Sequence, residues 1–248
     1  MKTITSLTNP DIKYITSLHT SKGRAQHNQF IAEGIRVCQT LLESPIKLSR
    51  LYTTHAMLEQ AQQLANDDRI VTVSAKVMEK ISPSVSPSGI LGVFAIPKPT
   101  DFADLGPGLV LSQIADPGNM GTLIRSTAAL GAKSVVIIEG ADIWNSKVVQ
   151  ASAGTLGAVK IFHMSWEELL ENKRDLQLNA LVVKHGESLE TISKKNCLLV
   201  IGNEAHGIAP QWLARCDKEI TLSMPGKIES LNAAVAGSIA LYLVFAAQ

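Results

Sequence analysis

Aromatic residues make up only 4% of this 248-residue chain, so base or ring stacking cannot dominate its binding chemistry. Cysteine is scarce as well. Cys38, Cys197 and Cys216 are odd in number and widely spaced, which excludes a disulfide framework and a zinc site of paired ligands and leaves reduced, mostly buried thiols. Six scattered histidines offer no cluster of metal ligands, so no metal is expected. No charged leader precedes an apolar segment at the N-terminus, and a cytoplasmic protein is expected. The apolar C-terminal run is interrupted by Asn232, Gly237 and Ser238 and falls short of the roughly 20 apolar residues a bilayer requires. It reads instead as a core or subunit-contact helix. Two phosphate cradles are also missing: no G-x-G-x-x-G and no Gly-Lys-Ser/Thr occurs, which disfavours a nucleotide-dependent oxidoreductase and a P-loop enzyme.

What is present is a chain with 46% hydrophobic residues, enough for one large core or two modest ones. The net charge of +1 hides an asymmetry. Residues 1–100 hold 11 Lys/Arg and 7 Asp/Glu, whereas 101–248 hold 12 and 15, so a basic N-terminal part precedes a mildly acidic remainder. Pro, Gly and Asp accumulate without periodicity near residues 97–107, which predicts a linker between domains 1–98 and 105–248. Before it, Asn9-Pro10 opens a helix with Ile12, Ile15 and Leu18 at helical spacing, and short strands such as QFIAEG and GILGVFAI alternate with helices. After it the alternation is stricter. LVLSQI, SVVIIEG, LNALVVK and CLLVIGNE are near-continuous apolar strands separated by helices, which implies a parallel sheet covered on both faces.

Ligands of such sheets gather beyond the strand C-termini, and three loops stand there. The first, Asp116-Pro117-Gly118-Asn119, opens a helix carrying Arg125, whose planar guanidinium suits a bidentate anionic partner; an ordinary surface arginine is equally compatible with this segment alone. The second holds Glu204 between Gly202 and Gly207, with His206 read as a surface residue rather than a base. The third runs from Met224-Pro225-Gly226 to Ser230 and Asn232 at the start of the apolar helix, where Ser230 has the chemistry of a cap.

Taken in order, N-x-G-x-x-x-R at Asn119–Arg125, G-N-E-x-x-G at Gly202–Gly207 and P-G-x-x-E-S-L-N at Pro225–Asn232 closely resemble the SpoU (TrmH-type) branch of the SPOUT RNA ribose 2′-O-methyltransferases. SKGRAQHNQFIAEGIRV resembles that family's substrate-binding domain, and VVQASAGTLGAVKI its segment between the first two motifs, so the likeness covers nearly the whole chain. Two departures are visible: Ala205 stands where the second loop often has Gly, and Pro225 lies two residues later than in the commoner Ile-Pro-Met form. Neither removes a polar site residue.

The resemblance implies an α/β protein whose C-terminal parallel-sheet SPOUT domain carries a deep trefoil knot, preceded by a small α/β substrate-binding domain like an RNA-binding ribosomal protein. It implies S-adenosylmethionine as cofactor, contacted by Gly202, Leu222, Met224 and Leu231, and a homodimer whose site borrows residues across the interface. Arg125, Asn119, Glu204, Ser230 and Asn232 fall on its catalytic and site-building positions. The expected substrate is structured RNA, ribosomal rather than transfer RNA, gripped through Lys22, Arg24 and Arg36; Glu33 is expected to cap a helix or pack a domain. A non-catalytic RNA-binding protein that retained the fold is the alternative, which intact site residues disfavour.

Overall fold

The computed structural model describes residues 2–226 and 230–246. The chain divides into two compact units: residues 1–98 with 142–157, and residues 99–141 with 158–248. In the first, β1 (Lys2–Ile4), α1 (Pro10–Ser17), α2 (Ser21–His27), β2 (Gln29–Glu33), α3 (Ile35–Leu42), β3 (Leu48–Thr54), α4 (Leu58–Leu64), β4 (Ile70–Val73), α5 (Ala75–Ile81) and β5 (Ile90–Ala95) build a five-stranded sheet in the order β1-β4-β3-β5-β2. β5 runs antiparallel to both of its neighbours, whereas β1, β4 and β3 are parallel. The Asn9-Pro10 signal works as its chemistry dictates: the Asn9 side chain accepts from the Asp11 N–H, and Pro10 occupies the first turn, where no backbone donor is needed. Ile12, Ile15 and Leu18 then enter a core with Ile31, Tyr52 and Leu91.

In the second unit, β6 (Gly108–Ser112), α6 (Pro117–Ala129) and β7 (Ser134–Ile138) come first. The chain then makes the excursion 142–157, bearing α7 (Ser146–Ala151), which belongs in space to the first unit although strict alternation placed it with the second. Trp144 lies 4.8 Å from Phe30 between ring centroids, and the Gly154 Cα faces the Val37 carbonyl so closely that an added Cβ would stand 2.6 Å from it. β8 (Lys160–His163), α8 (Trp166–Asn172), β9 (Gln177–Leu181), β10 (Cys197–Ile201), α9 (Pro210–Leu213), β11 (Lys218–Ile220) and α10 (Ala233–Leu241) complete a parallel six-stranded sheet in the order β11-β9-β10-β6-β7-β8.

Both faces of that sheet are covered, as the unbroken apolar strands require. Leu198 and Val200 of β10 join Trp166 and Leu169 of α8 in one layer, with Trp212 of α9 packed against it. Ile201 turns the other way, beside Gly237 of α10, where an added Cβ would come within 2.5 Å of Leu123 on α6. Glycine and alanine in α10 are therefore what lets it lie close against α6. Cys38 and Cys197 are buried, and desolvation pushes both thiols up to about 12, so they stay inert; Cys216 is half-buried and likewise shifted up to about 12 by burial, beside Asp217 and Glu219. No described helix is long and apolar enough to cross a membrane, and no group of three or more potential ligands for a metal occurs among the described residues.

Candidate active site

The loops singled out above lie beyond the C-terminal ends of β6, β10 and β11. At the end of β6 the chain turns through Gln113, held at φ 58° in the left-handed region that non-glycine residues seldom adopt. Asp116 then caps α6 by accepting the Asn119 N–H at 2.7 Å, with Pro117 in the first turn. The β10 loop is tied to this corner. Asn203 Nδ2 donates to the Gln113 carbonyl at 2.8 Å, while Asn203 Oδ1 accepts from the Ala205 and His206 N–H groups. Gly202 is required here because an added Cβ would meet the Gly207 carbonyl carbon at 2.3 Å, closing off the hairpin-like turn 203–207.

Glu204 is thereby placed against the start of α6. Its Oε1 accepts from Asn119 Nδ2 at 2.9 Å and from the Asp116 N–H at 3.3 Å, and its Oε2 from the Ala115 N–H at 3.3 Å. Desolvation works to raise its pKa, but the hydrogen bonds from Asn119 and the backbone outweigh it, and the carboxyl titrates below the usual range. The Asn119 amide is fixed at both ends, since its Oδ1 accepts from Asn232 Nδ2 at 3.1 Å. Asn232 is in turn fixed as the N-cap of α10, accepting from the Ala234 and Val235 N–H groups. Three segments distant in sequence thus meet in one chain of contacts, Glu204 to Asn119 to Asn232. Each amide nitrogen in it keeps a second N–H free for a ligand.

Beside this chain lies a cavity of 410 Å³, lined by the β9 end (Leu181 to Val183), the turn from Gly202 to Gly207, Leu222, Met224, Ser230 and Leu231. Of the residues expected from sequence, Glu204, Ser230, Gly202, Leu222, Met224 and Leu231 line it, while Asn119 and Asn232 stand at its edge through their bonds to Glu204 and to each other. Arg125 is not brought into it. It lies exposed on α6 with no hydrogen-bond or ion-pair partner among the described residues. Ser230 is not the cap of α10; Asn232 is. Residues 227–229, within the third motif and including its Glu229, lie outside the described residues. Sequence reasoning missed Leu181, Val182 and Val183 as cavity wall and Asn203 as the tie between loops. The LNALVVK run carried a signal for the first three, because strand C-termini line such sites.

The lining suits S-adenosylmethionine. A volume of this size is ordinary for a small-molecule site, and aliphatic side chains, including Val183 at 51% and Leu231 at 40% exposure, offer flat apolar surface to a purine. The 202–207 turn contributes backbone donors and acceptors, and an ionised Glu204 favours a cationic ligand on its side.

In the first unit, Lys22 and Arg36 are exposed. Arg24 departs from the expected phosphate contact. Its side chain is 4% exposed, pairs with Asp142 Oδ2 at 2.6 Å, and donates to the Leu18 and His19 carbonyls, so it holds the excursion and the end of α1 rather than offering a free charge. Glu33 neither caps a helix nor faces solvent: it is buried and accepts from Ser82 Oγ at 2.8 Å and the Ser88 N–H at 2.7 Å.

The SpoU rRNA Methylase family model matches residues 107–242, and that of an MRM3-like substrate binding domain matches 9–92. The chain is 26% identical over 246 residues to the 23S rRNA (guanosine(2553)-2'-O)-methyltransferase RlmP of Bacillus subtilis (strain 168), covering 98% of each. It is 28% identical over 221 residues to the 23S rRNA (guanosine-2'-O-)-methyltransferase RlmB of Xylella fastidiosa (strain 9a5c), covering 83% of this chain and 87% of that one. The crystal structure of an AdoMet-bound rRNA methyltransferase from Sinorhizobium meliloti superimposes with a TM-score of 0.85 at 28% identity, over 97% of this chain and 96% of that one.

Proposed function

The chain belongs to the SpoU rRNA Methylase family, an RNA methyltransferase that uses S-adenosylmethionine to 2′-O-methylate ribosomal RNA ribose, and from that premise we propose how its residues divide the work. The observation that carries the assignment is the contact chain Glu204–Asn119–Asn232 at the edge of the 410 Å³ cavity.

Gly202, Leu222, Met224 and Leu231 hold the cofactor, which when bound supplies an electrophilic methyl group on sulfonium. Glu204 fixes the Asn119 amide and sets a negative potential on the cationic side of the cavity. A ribose 2′-hydroxyl is a poor nucleophile and must lose its proton as it attacks, so the site has to stabilise oxygen charge as it develops. Arg125 does this. Its guanidinium keeps its own proton, binds the phosphate next to the target ribose and stabilises the alkoxide, while Asn119 and Ser230 or Asn232 orient the sugar. The hydroxyl proton leaves to solvent or to that phosphate.

Arg125 reaches a site through dimerisation. Val235, Ile239 and Tyr242 recur at helical spacing and are 40–55% exposed, an apolar face of α10 and its continuation that a second copy of the chain covers. α6, which bears Arg125, packs directly against α10, so the same association carries the guanidinium to the partner's cavity. Threading of the C-terminal segment into a trefoil knot and residence in the cytoplasm belong to the same reading. The division of labour in sequence is 1–98 for RNA and 105–248 for catalysis, with Lys22 and Arg36 contacting phosphates.

Calorimetric titration with S-adenosylmethionine, followed by mapping of 2′-O-methyl groups in ribosomal RNA from cells with and without the gene, tests this. Saturable binding and one lost mark are expected. RNA binding without cofactor uptake would instead establish the non-catalytic alternative. Substituting Ile239→Glu is expected to convert a dimer to monomer in sedimentation and to abolish methyl transfer while the cofactor site stays intact.

A further inference from the structure

The loop Ser82–Gly89, SPSVSPSG, has an unusual construction. Val85 at its tip is fully exposed, at 105% of its reference area, whereas the exposed Leu7 of the same unit retains about half of its own at 49%. A free apolar tip is normally mobile, yet this loop is braced along its length. Pro83 and Pro87 fix φ on both sides of the tip. Glu33, itself 4% exposed, commits one carboxylate oxygen to Ser82 Oγ and the other to the Ser88 N–H, so a buried acid grips both ends of the loop. Ser82 Oγ also accepts the Ser84 N–H at 2.9 Å, and Gly89 turns the chain back into β5 at φ 83°. Sequestering a carboxylate is costly unless its oxygens are satisfied, and here every acceptor contact goes to the loop.

The same end of the unit gathers cations. His19 Nε2 meets the Ile81 carbonyl at 2.9 Å, and the Gly34 N–H donates to the Ile90 carbonyl at 2.9 Å, which brings the α1–α2 corner and the β2–α3 turn to the loop. Lys22, Arg36 and Lys80 follow or precede these ties by three residues or fewer, are exposed, and have no ion-pair partner among the described residues; Glu79 is the exposed carboxylate beside them on α5. A protein-docking face would present a contiguous apolar patch, but a single aliphatic tip flanked by Ser84 and Ser86 and accompanied by unpaired cations matches a ligand with charged strands and exposed apolar faces. We propose that the 82–89 loop is an RNA-reading wedge, Val85 packing on the face of an unpaired base while Lys22, Arg36 and Lys80 hold flanking phosphates, with Glu33 as the positioning residue. Aliphatic insertion takes the place of aromatic stacking in a chain with few aromatic residues. The inference rests on the RNA-methyltransferase reading and adds to it a specific recognition element.

The test uses the full-length protein saturated with S-adenosylmethionine and an unmodified 23S rRNA transcript, with affinity measured across salt concentration. Val85→Ser is expected to weaken binding about tenfold with the salt slope unchanged, because no charge is removed, and Val85→Ile to bind as the parent does. Lys80→Ala is expected to lower the slope by about one. Glu33→Gln is expected to weaken binding too, and in the Val85→Ser background to add nothing further, which a merely destabilising substitution would not do. A Val85→Ser protein that takes up cofactor and binds the transcript like the parent overturns the wedge and leaves the methyltransferase reading standing. Loss of ribosomal-protein binding with unchanged RNA affinity overturns it in favour of a protein partner. A parent protein that takes up cofactor but does not bind the transcript saturably overturns both.

Discussion

Glu33 and Glu204 are each a carboxylate following or ending an apolar strand, each with a glycine within two residues, and each receiving donors from a loop. Their environments separate them. Glu33 is buried, and its contacts run to a single loop of its own unit, so it determines a shape. Glu204 is exposed, and its contacts run to the start of α6 and through Asn119 to α10, so it determines where a ligand-facing amide points and leaves a charge beside a cavity. The arginines divide in the same manner. Arg24 is enclosed by Asp142 and two carbonyls, whereas Arg125 is unpartnered on a helix surface. Partnership within the fold is what distinguishes a structural charge from one available to a substrate.

The sharpest way to break that comparison is at the two arginines. Arg125→Ala is expected to lower the methyl-transfer rate by about a thousandfold, in line with removing a principal stabiliser of oxyanion charge, with little change in melting temperature. Arg125→Lys is expected to recover little, since a point charge does not replace a planar fork; near-normal turnover in a single-turnover assay would remove Arg125 from the chemistry. Arg24→Ala is expected to do the reverse, costing about 3 kcal/mol of stability in denaturant unfolding because Asp142 and two carbonyls lose their partner. Activity measured well below the melting point is expected to survive.

Glu204→Gln is expected to sharpen the distinction further. It keeps the shape, removes the charge and places an N–H opposite the backbone donors, so methyl transfer falls by about ten- to a hundredfold, the range for a lost charge-assisted hydrogen bond. RNA affinity is expected to be unaffected. The smallest effect is the pH dependence. Glu204 titrates below its unfolded value, so its bonds to Asn119 and the backbone are intact above the usual carboxylate range and are lost as pH falls through the depressed folded value. Methyl transfer is expected to hold steady down through mildly acidic pH and to decline only below it, and Glu204→Gln to flatten that acidic limb.

Much of this was legible without coordinates. Apolar strands without alternation announced a parallel sheet covered on both faces, Asn9-Pro10 announced a helix start, and the three ordered motifs marked the loops that meet at the site. Motif spacing, however, says nothing about burial. Arg24 read as a phosphate contact and Glu33 as a helix-capping or domain-packing group because a charged residue in a basic, RNA-like segment has the same letters whether it is enclosed or free. That Arg24 is enclosed while Arg125 stays unpartnered emerged only when their surroundings were visible.

The sequence by itself determined most of the strands and helices of the second unit, their order and the identity of the polar groups, since those follow from periodicity, capping chemistry and residue type, whereas short elements such as β1, α2 and α5 carried too little pattern. Tertiary structure alone decided that residues 142–157 fold with the first unit, that Asn232 rather than Ser230 caps α10, and that Glu204 grips Asn119. The reason is physical: a local pattern fixes which face of a segment must be buried, but the partner that buries it, and the hydrogen bonds that then become obligatory, are set by chains that meet only after folding.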